Sequence, residues 1–322
     1  MYRLVATIIL SSVACAQTLQ DAEIAAAAKS PVTLARYVES HNSVDWKALR
    51  NALGLNASQY WLEPCGSNIP AAEEPCSAET VTIANPEQAI VIIRGGDLSY
   101  TVEHLRYLQD PKGGWQFAGE NSAFKKDGPS HHEVMRVGGK PFLKISSNHS
   151  QVGVGVRQEI EDWFDLTQRD FEPVFSYTVD GHENRFGFGV SRTIHAQCSL
   201  SQQSGLEGID LILSVHFQGP GIDLEAMYLG IYERPANAKK FTLPIAYSGL
   251  DRRTTISTKD FEELADPFEG PSNEKLLIYA LPGLQKIATG SDPDAKEWLR
   301  SILSFAKETP EKRSLLGLLA KP

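Results

Sequence analysis

Two histidines, His195 and His216, stand on neighbouring segments of alternating polarity, where they could together hold a metal ion. A neutral imidazole nitrogen ligates zinc, and a metal with an open position activates water for hydrolysis. In the first segment, Arg185–Gln197, the residues Phe186, Phe188, Val190, Ile194 and Ala196 alternate inward, so Ser191, Thr193, His195 and Gln197 point outward. In the second, Ile209–Gln218, the residues Ile209, Leu211, Leu213, Val215 and Phe217 face inward and leave His216 outside. A turn centred on Gly205 and Leu206 sets His195 across from His216, and Cys198 across from Leu213 on the apolar side. The thiol then reads as buried and unreactive rather than nucleophilic. The two histidines still need a third ligand, and as exposed polar residues they require no chemistry at all. A turn displaced by one residue parts them along the ladder.

Glu159 and Glu161 form a second candidate pair. Two apart on one strand face, their attachment points lie about 7 Å from each other, a separation compatible with the acid and base of glycoside hydrolysis. Such pairs usually come from different strands lining a cleft, and Arg157 beside them suggests a cross-strand salt network instead. His131, His132 and Glu133 cannot all bind one ion, because neighbours on a strand point to opposite faces; they read as a turn-borne histidine pair. The chain has no Gly-x-Ser-x-Gly, no phosphate-binding glycine loop and no His-Glu-x-x-His. No cofactor is expected.

These residues depend on strands for their placement. The segment that organises the chain runs from His131 to Val179 and reads as four strands. Glu133–Val137 and Pro141–Ser146 are joined by a two-residue hairpin at Gly138 and Gly139; a polar turn over Ser147–Gln151 follows; a long strand runs from Val152 to Leu166; Glu172–Val179 is the fourth. In the long strand Val152, Val154, Val156, Ile160, Phe164 and Leu166 share one face, interrupted by Gln158 and Asp162. Arg157, Glu159 and Glu161 should therefore face water.

A similar set precedes it: Val81–Ala84, Ala89–Arg94, Ser99–Gln109 and Trp115–Gly119. Another follows: Arg185–Gln197, Ile209–Gln218, Glu225–Glu233 and Phe241–Tyr247. The expected fold class is mainly β, with about twelve antiparallel strands in three four-stranded meanders forming a barrel, a sandwich or a propeller-like array. Helical segments lie at both termini. Within residues 17–62, Ser43 is the expected cap of the last helix and Gly54 its stop; Asp292 with Pro293, and Thr309 with Pro310, start helices within 275–322. Residues 63–80 form a loop, 81–250 the β domain and 251–274 a polar linker.

Residues 1–16 have the pattern of a cleaved secretory signal. Arg3 precedes the apolar run Leu4–Val13, and Ala14, Cys15 and Ala16 supply a small-residue cleavage site. A lipid-anchored Cys15 is the alternative, opposed by Ser12 where a branched apolar residue is usual. No other run is long enough for a membrane span. In an oxidising compartment Cys65 and Cys76 read as a disulfide. Losing Arg3 with the leader lowers the net charge from -9 to -10, and an acidic chain without a basic block argues against nucleic acid. The sequence thus points to a secreted or periplasmic protein that binds an extracytoplasmic ligand or protein, or serves as a scaffold, without catalysis. The alternative is a hydrolase, metal-assisted at His195 and His216 or acid-base at Glu159 and Glu161.

Overall fold

A computed structural model describes residues 20–41, 44–56, 76–84, 87–95, 101–124, 131–151, 155–187, 190–203, 206–219, 222–268 and 273–321. Three helices come first: α1 (20–27), α2 (Pro31–Ser40) and α3 (Trp46–Ala52). Thirteen strands follow: β1 (Ser77–Ile83), β2 (Gln88–Arg94), β3 (Thr101–Gln109), β4 (Trp115–Phe124), β5 (His132–Val137), β6 (Lys140–Gln151), β7 (Val156–Asp165), β8 (Phe175–Gly187), β9 (Val190–Gln203), β10 (Leu206–Gly219), β11 (Ile222–Pro235), β12 (Thr242–Ser248) and β13 (Thr254–Ile256). Five helices end the described chain: α4 (Thr258–Ala265), α5 (Asn273–Tyr279), α6 (Leu281–Thr289), α7 (Pro293–Phe305) and α8 (Pro310–Leu319).

The strands form two antiparallel sheets in sequential order, β1 to β4 and β5 to β13. The first expected group of four is therefore a sheet of its own. The second and third run on as one nine-stranded meander, and neither sheet closes. Contacts divide the chain into two compact units, residues 1–143 with 164–172, and residues 144–163 with 173–322.

In the first unit β2 is apolar without alternation because neither of its faces meets water: every residue from Gln88 to Ile93 is buried. Val91, Ile93, Leu105 and Tyr107 form one core with Ile24, Leu34, Val38, Trp46 and Leu49 of the three helices. Full burial of each such side chain contributes about 1.5–3 kcal/mol. Ser30 caps α2 by accepting the Thr33 N–H, with Pro31 starting the helix. Asp45 caps α3, where Ser43, outside the described residues, was the expected cap. Glu103 lies on this helix-covered side of β3 and is fully buried, across from Ser122 of β4. Burial pushes its carboxyl up to about 8.

The other face of that sheet carries Arg106, also buried. Its guanidinium donates to the carbonyls of Leu166 (2.7 Å) and Gln168 (2.8 Å) and to Gln88 Oε1 (2.8 Å), fastening residues 164–172 to the strands. Gly138 and Gly139 turn the chain between β5 and β6 with φ of 56° and 82°, the left-handed pair a two-residue hairpin requires.

Other boundaries differ from the sequence reading. Ser147–Gln151, expected as a turn, lies inside β6, and β7 begins at Val156 rather than Val152. Gly187 pairs with Val190, so Arg185 belongs to β8 and the single strand expected from Arg185 to Gln197 is two. The expected linker 251–274 contains β13 and α4. Polar residues misled here: Ser257 is the α4 cap, accepting the Asp260 N–H, not a coil residue. In α7 the buried side chains are Ala295, Leu299, Ile302 and Leu303, while Phe305 is exposed.

Candidate functional site

The second unit contains a cavity of about 260 Å³ between one face of the nine-stranded sheet and α4. The sheet supplies Gln158 and Ile160 of β7, Ser176, Tyr177 and Thr178 of β8, Leu211 of β10 and Tyr232 of β11; Glu262, Ala265 and Asp266 come from α4 and its end. Period-two alternation explains the β7 contribution: Val156, Gln158, Ile160 and Asp162 share a face, which pairing sets against Glu183, Gly181, Thr178 and Ser176 of β8. The register slips between Glu159 and Ile160, so Val179 of β8 bulges and Ile160 meets Thr178. Gln158 is buried and donates to Thr178 Oγ1 at 2.6 Å, which orients its amide at the cavity wall. Burial raises the phenol pKa values of Tyr177 and Tyr232, so both rings stay neutral hydroxyl donors.

Helix α4 is held over the sheet by two features. Gly230 of β11 leaves room for Phe261: a Cβ there would come within 2.7 Å of the ring. Arg192 of β9, fully buried, donates to the backbone carbonyls of Glu263 (3.0 Å), Leu264 (3.3 Å) and Asp266 (2.9 Å), and to Glu183 Oε2 (2.9 Å). A cation at the carbonyl end of a helix satisfies acceptors that the helix leaves open.

The residues singled out from sequence fall elsewhere. Gln203 pairs with Leu206, one residue earlier than the expected turn requires, so His195 faces Ser214, His216 faces Thr193 and Cys198 faces Leu211. His195 meets Asp180 at 2.8 Å and His216 meets Asp223, both on the exposed side. Exposed pairs of this kind contribute about 0–1 kcal/mol. Among the described residues no three His, Cys, Asp or Glu side chains come together to hold a metal. Burial pushes the Cys198 thiol up to about 12, far from a reactive thiolate.

Arg157 is exposed, but Glu161 does not face water as expected. It accepts from Trp163 Nε1 (2.7 Å) and Tyr177 Oη (2.8 Å) and pairs with Lys144 (3.2 Å), whose ammonium lies over the Trp163 ring. The apolar side chains at the end of β7, Trp163 against Phe175, cover that face, so the alternation that exposes Arg157 encloses Glu161. Glu159 is half-buried across from Asp180.

In the first unit His132 joins Glu79 (3.5 Å) and Arg94 (3.2 Å), with the buried His104 ring edge-on to it; His131 is exposed. Burial depresses His104 to about 3, so it is neutral throughout the physiological range.

The cavity residues that sequence reading passed over did leave a signal. Gln158, buried at the cavity wall, is one of two polar interruptions of an otherwise apolar face, and a buried polar residue is the informative observation in such a stripe. No helix among the described residues is long and apolar enough to cross a membrane. No family model, curated protein or solved structure matches the chain, so its own residues carry the functional reading.

Proposed function

We propose that the protein is an extracytoplasmic binding protein for a small amphipathic amine, taken up in the cavity beneath α4. The observation that carries this reading is the cavity lining: Tyr177 and Tyr232, the apolar Ile160, Leu211 and Ala265, and the acidic Glu262 and Asp266, with no lysine, arginine or histidine among the lining residues. Aromatic faces attract a cation, carboxylates pair with it, and the apolar wall takes the body of the molecule. Gln158, Ser176 and Thr178 add hydrogen-bonding groups that fix orientation. The signal-like residues 1–16 support an extracytoplasmic site of action, and the acidic charge speaks against nucleic acid. The pair test is phenethylamine against phenylacetate, alike in shape and opposite in charge, titrated by calorimetry. The amine should bind and Glu262→Gln should weaken it about tenfold, a loss of roughly 1.4 kcal/mol. Equal binding of the two probes, or an amine affinity unmoved by Glu262→Gln, contradicts the reading.

The same compartment implies a bond between Cys65, outside the described residues, and Cys76, which is buried against the α1–α3 core. Peptide mapping of secreted protein without reductant should recover these two linked, with Cys198 as a free thiol. Closing that short loop is worth about 3 kcal/mol. Recovery of both as unlinked thiols removes the proposal.

A further inference from the structure

On β6, one strand beyond β7, Ser147 and His149 stand two residues apart on one face. Ser147 Oγ lies 3.2 Å from His149 Nε2, within the reach of a nucleophile and its base. Asp162 of β7 lies within electrostatic reach of His149, and its Oδ1 accepts the Ser176 hydroxyl at 2.5 Å. Ser176 also lines the cavity. Ser147 is buried and His149 half-buried, so the pair sits in a partly dried environment rather than on an open surface. The face assignment is independent of these bonds: Lys144 pairs with Glu161 on the opposite face, which places Ile145, Ser147 and His149 with Ile160 and Asp162.

We infer that Ser147 and His149, with the Asp162 carboxyl within electrostatic reach, form a nucleophilic centre able to cleave carboxylic esters of small acids. This goes beyond amine binding and does not rest on it. In the first step Ser147 Oγ bonds to the ester carbonyl carbon while its proton moves to His149 Nε2. The ester C–O bond then breaks, and the departing alkoxide takes that proton. Water next attacks the acyl-serine carbonyl, giving a proton to Nε2; the acyl–Oγ bond breaks, the proton returns to Ser147, and the acid leaves. Ester and water become acid and alcohol, with no other reactant. Burial lowers the His149 pKa from its ordinary value, which keeps the ring neutral and able to accept a proton at neutral pH.

Diisopropyl fluorophosphate tests this, since its phosphorus accepts the serine oxygen and releases fluoride. Incubation of the full mature protein followed by peptide mass spectrometry should place one adduct on Ser147. Ser147→Ala should abolish it, and His149→Gln should slow it about 100-fold or more, the usual range for losing a general base. The wild-type labelling rate should rise with pH and level off with a midpoint below 6.5, the ordinary imidazole value. That profile, which a merely structural histidine would not produce, decides the matter if His149→Gln fails to fold. No adduct at Ser147, or labelling indifferent to both His149 and pH, overturns the inference, and amine binding measured separately is untouched by either result.

Discussion

Replacing Glu103 with glutamine should stabilise the protein at pH 8 and leave it nearly unchanged at pH 4. The Glu103 carboxyl is fully buried, and burial, opposed in part by the neighbouring Ser122 hydroxyl, holds its pKa at about 8 against an ordinary value of 4.5. Below 4.5 the group is protonated in folded and unfolded chains alike and contributes no difference. Between 4.5 and 8 the unfolded chain releases the proton and the folded chain keeps it, so stability falls as pH rises through this window and levels off above it. The full gap corresponds to roughly 5 kcal/mol. Urea unfolding at pH 4 and pH 8 measures it: the wild-type midpoint should drop between the two and the Glu103→Gln midpoint should drop much less. Parallel behaviour of the two proteins would mean that Glu103 is ionised inside the fold, compensated by Arg50, which pairs with Glu120 at 2.7 Å nearby.

Arg192→Met should cost about 3–5 kcal/mol, the usual consequence of leaving a buried partner charge uncompensated, here Glu183. It also frees three carbonyls at the end of α4, so the helix that roofs the cavity loses its anchor and ligand binding should fall with it. Adding Glu183→Leu removes the stranded carboxylate. The double variant should regain much of the stability and none of the α4 anchoring, so urea unfolding and amine titration should separate. Full recovery of both would place the hold on α4 in Phe261 and its Gly230 seat instead.

Much of the fold was legible because strand alternation and helix caps are local. The Gly138-Gly139 hairpin, the Gly54 stop, the Asp292 cap of α7 and the Thr309 cap of α8 are where residue type alone demands them. The run of four short strands in the first sheet, β2 above all, announced itself by composition. What failed is what depends on register and on partners distant in sequence. A single residue's displacement between β9 and β10 moved His195 opposite Ser214 instead of His216. Glu161 has the same outward parity as Arg157, yet Trp163, Lys144 and Tyr177 enclose it. Polar residues dominate Ser147–Gln151 and so read as a turn, whereas β6 carries Ser147 and His149 through the sheet as strand residues. The cavity needs α4, which sits in a stretch whose prolines and charges resemble a linker and which no alternation on the strands could reveal.

The proposal of a ligand cavity beneath α4 meets its most direct trial in nuclear magnetic resonance of isotope-labelled protein titrated with phenethylamine. The account predicts saturable shifts centred on Gln158, Tyr177, Tyr232 and Glu262, absent with phenylacetate. Shifts scattered over the surface, or an identical response to the acid, would contradict it.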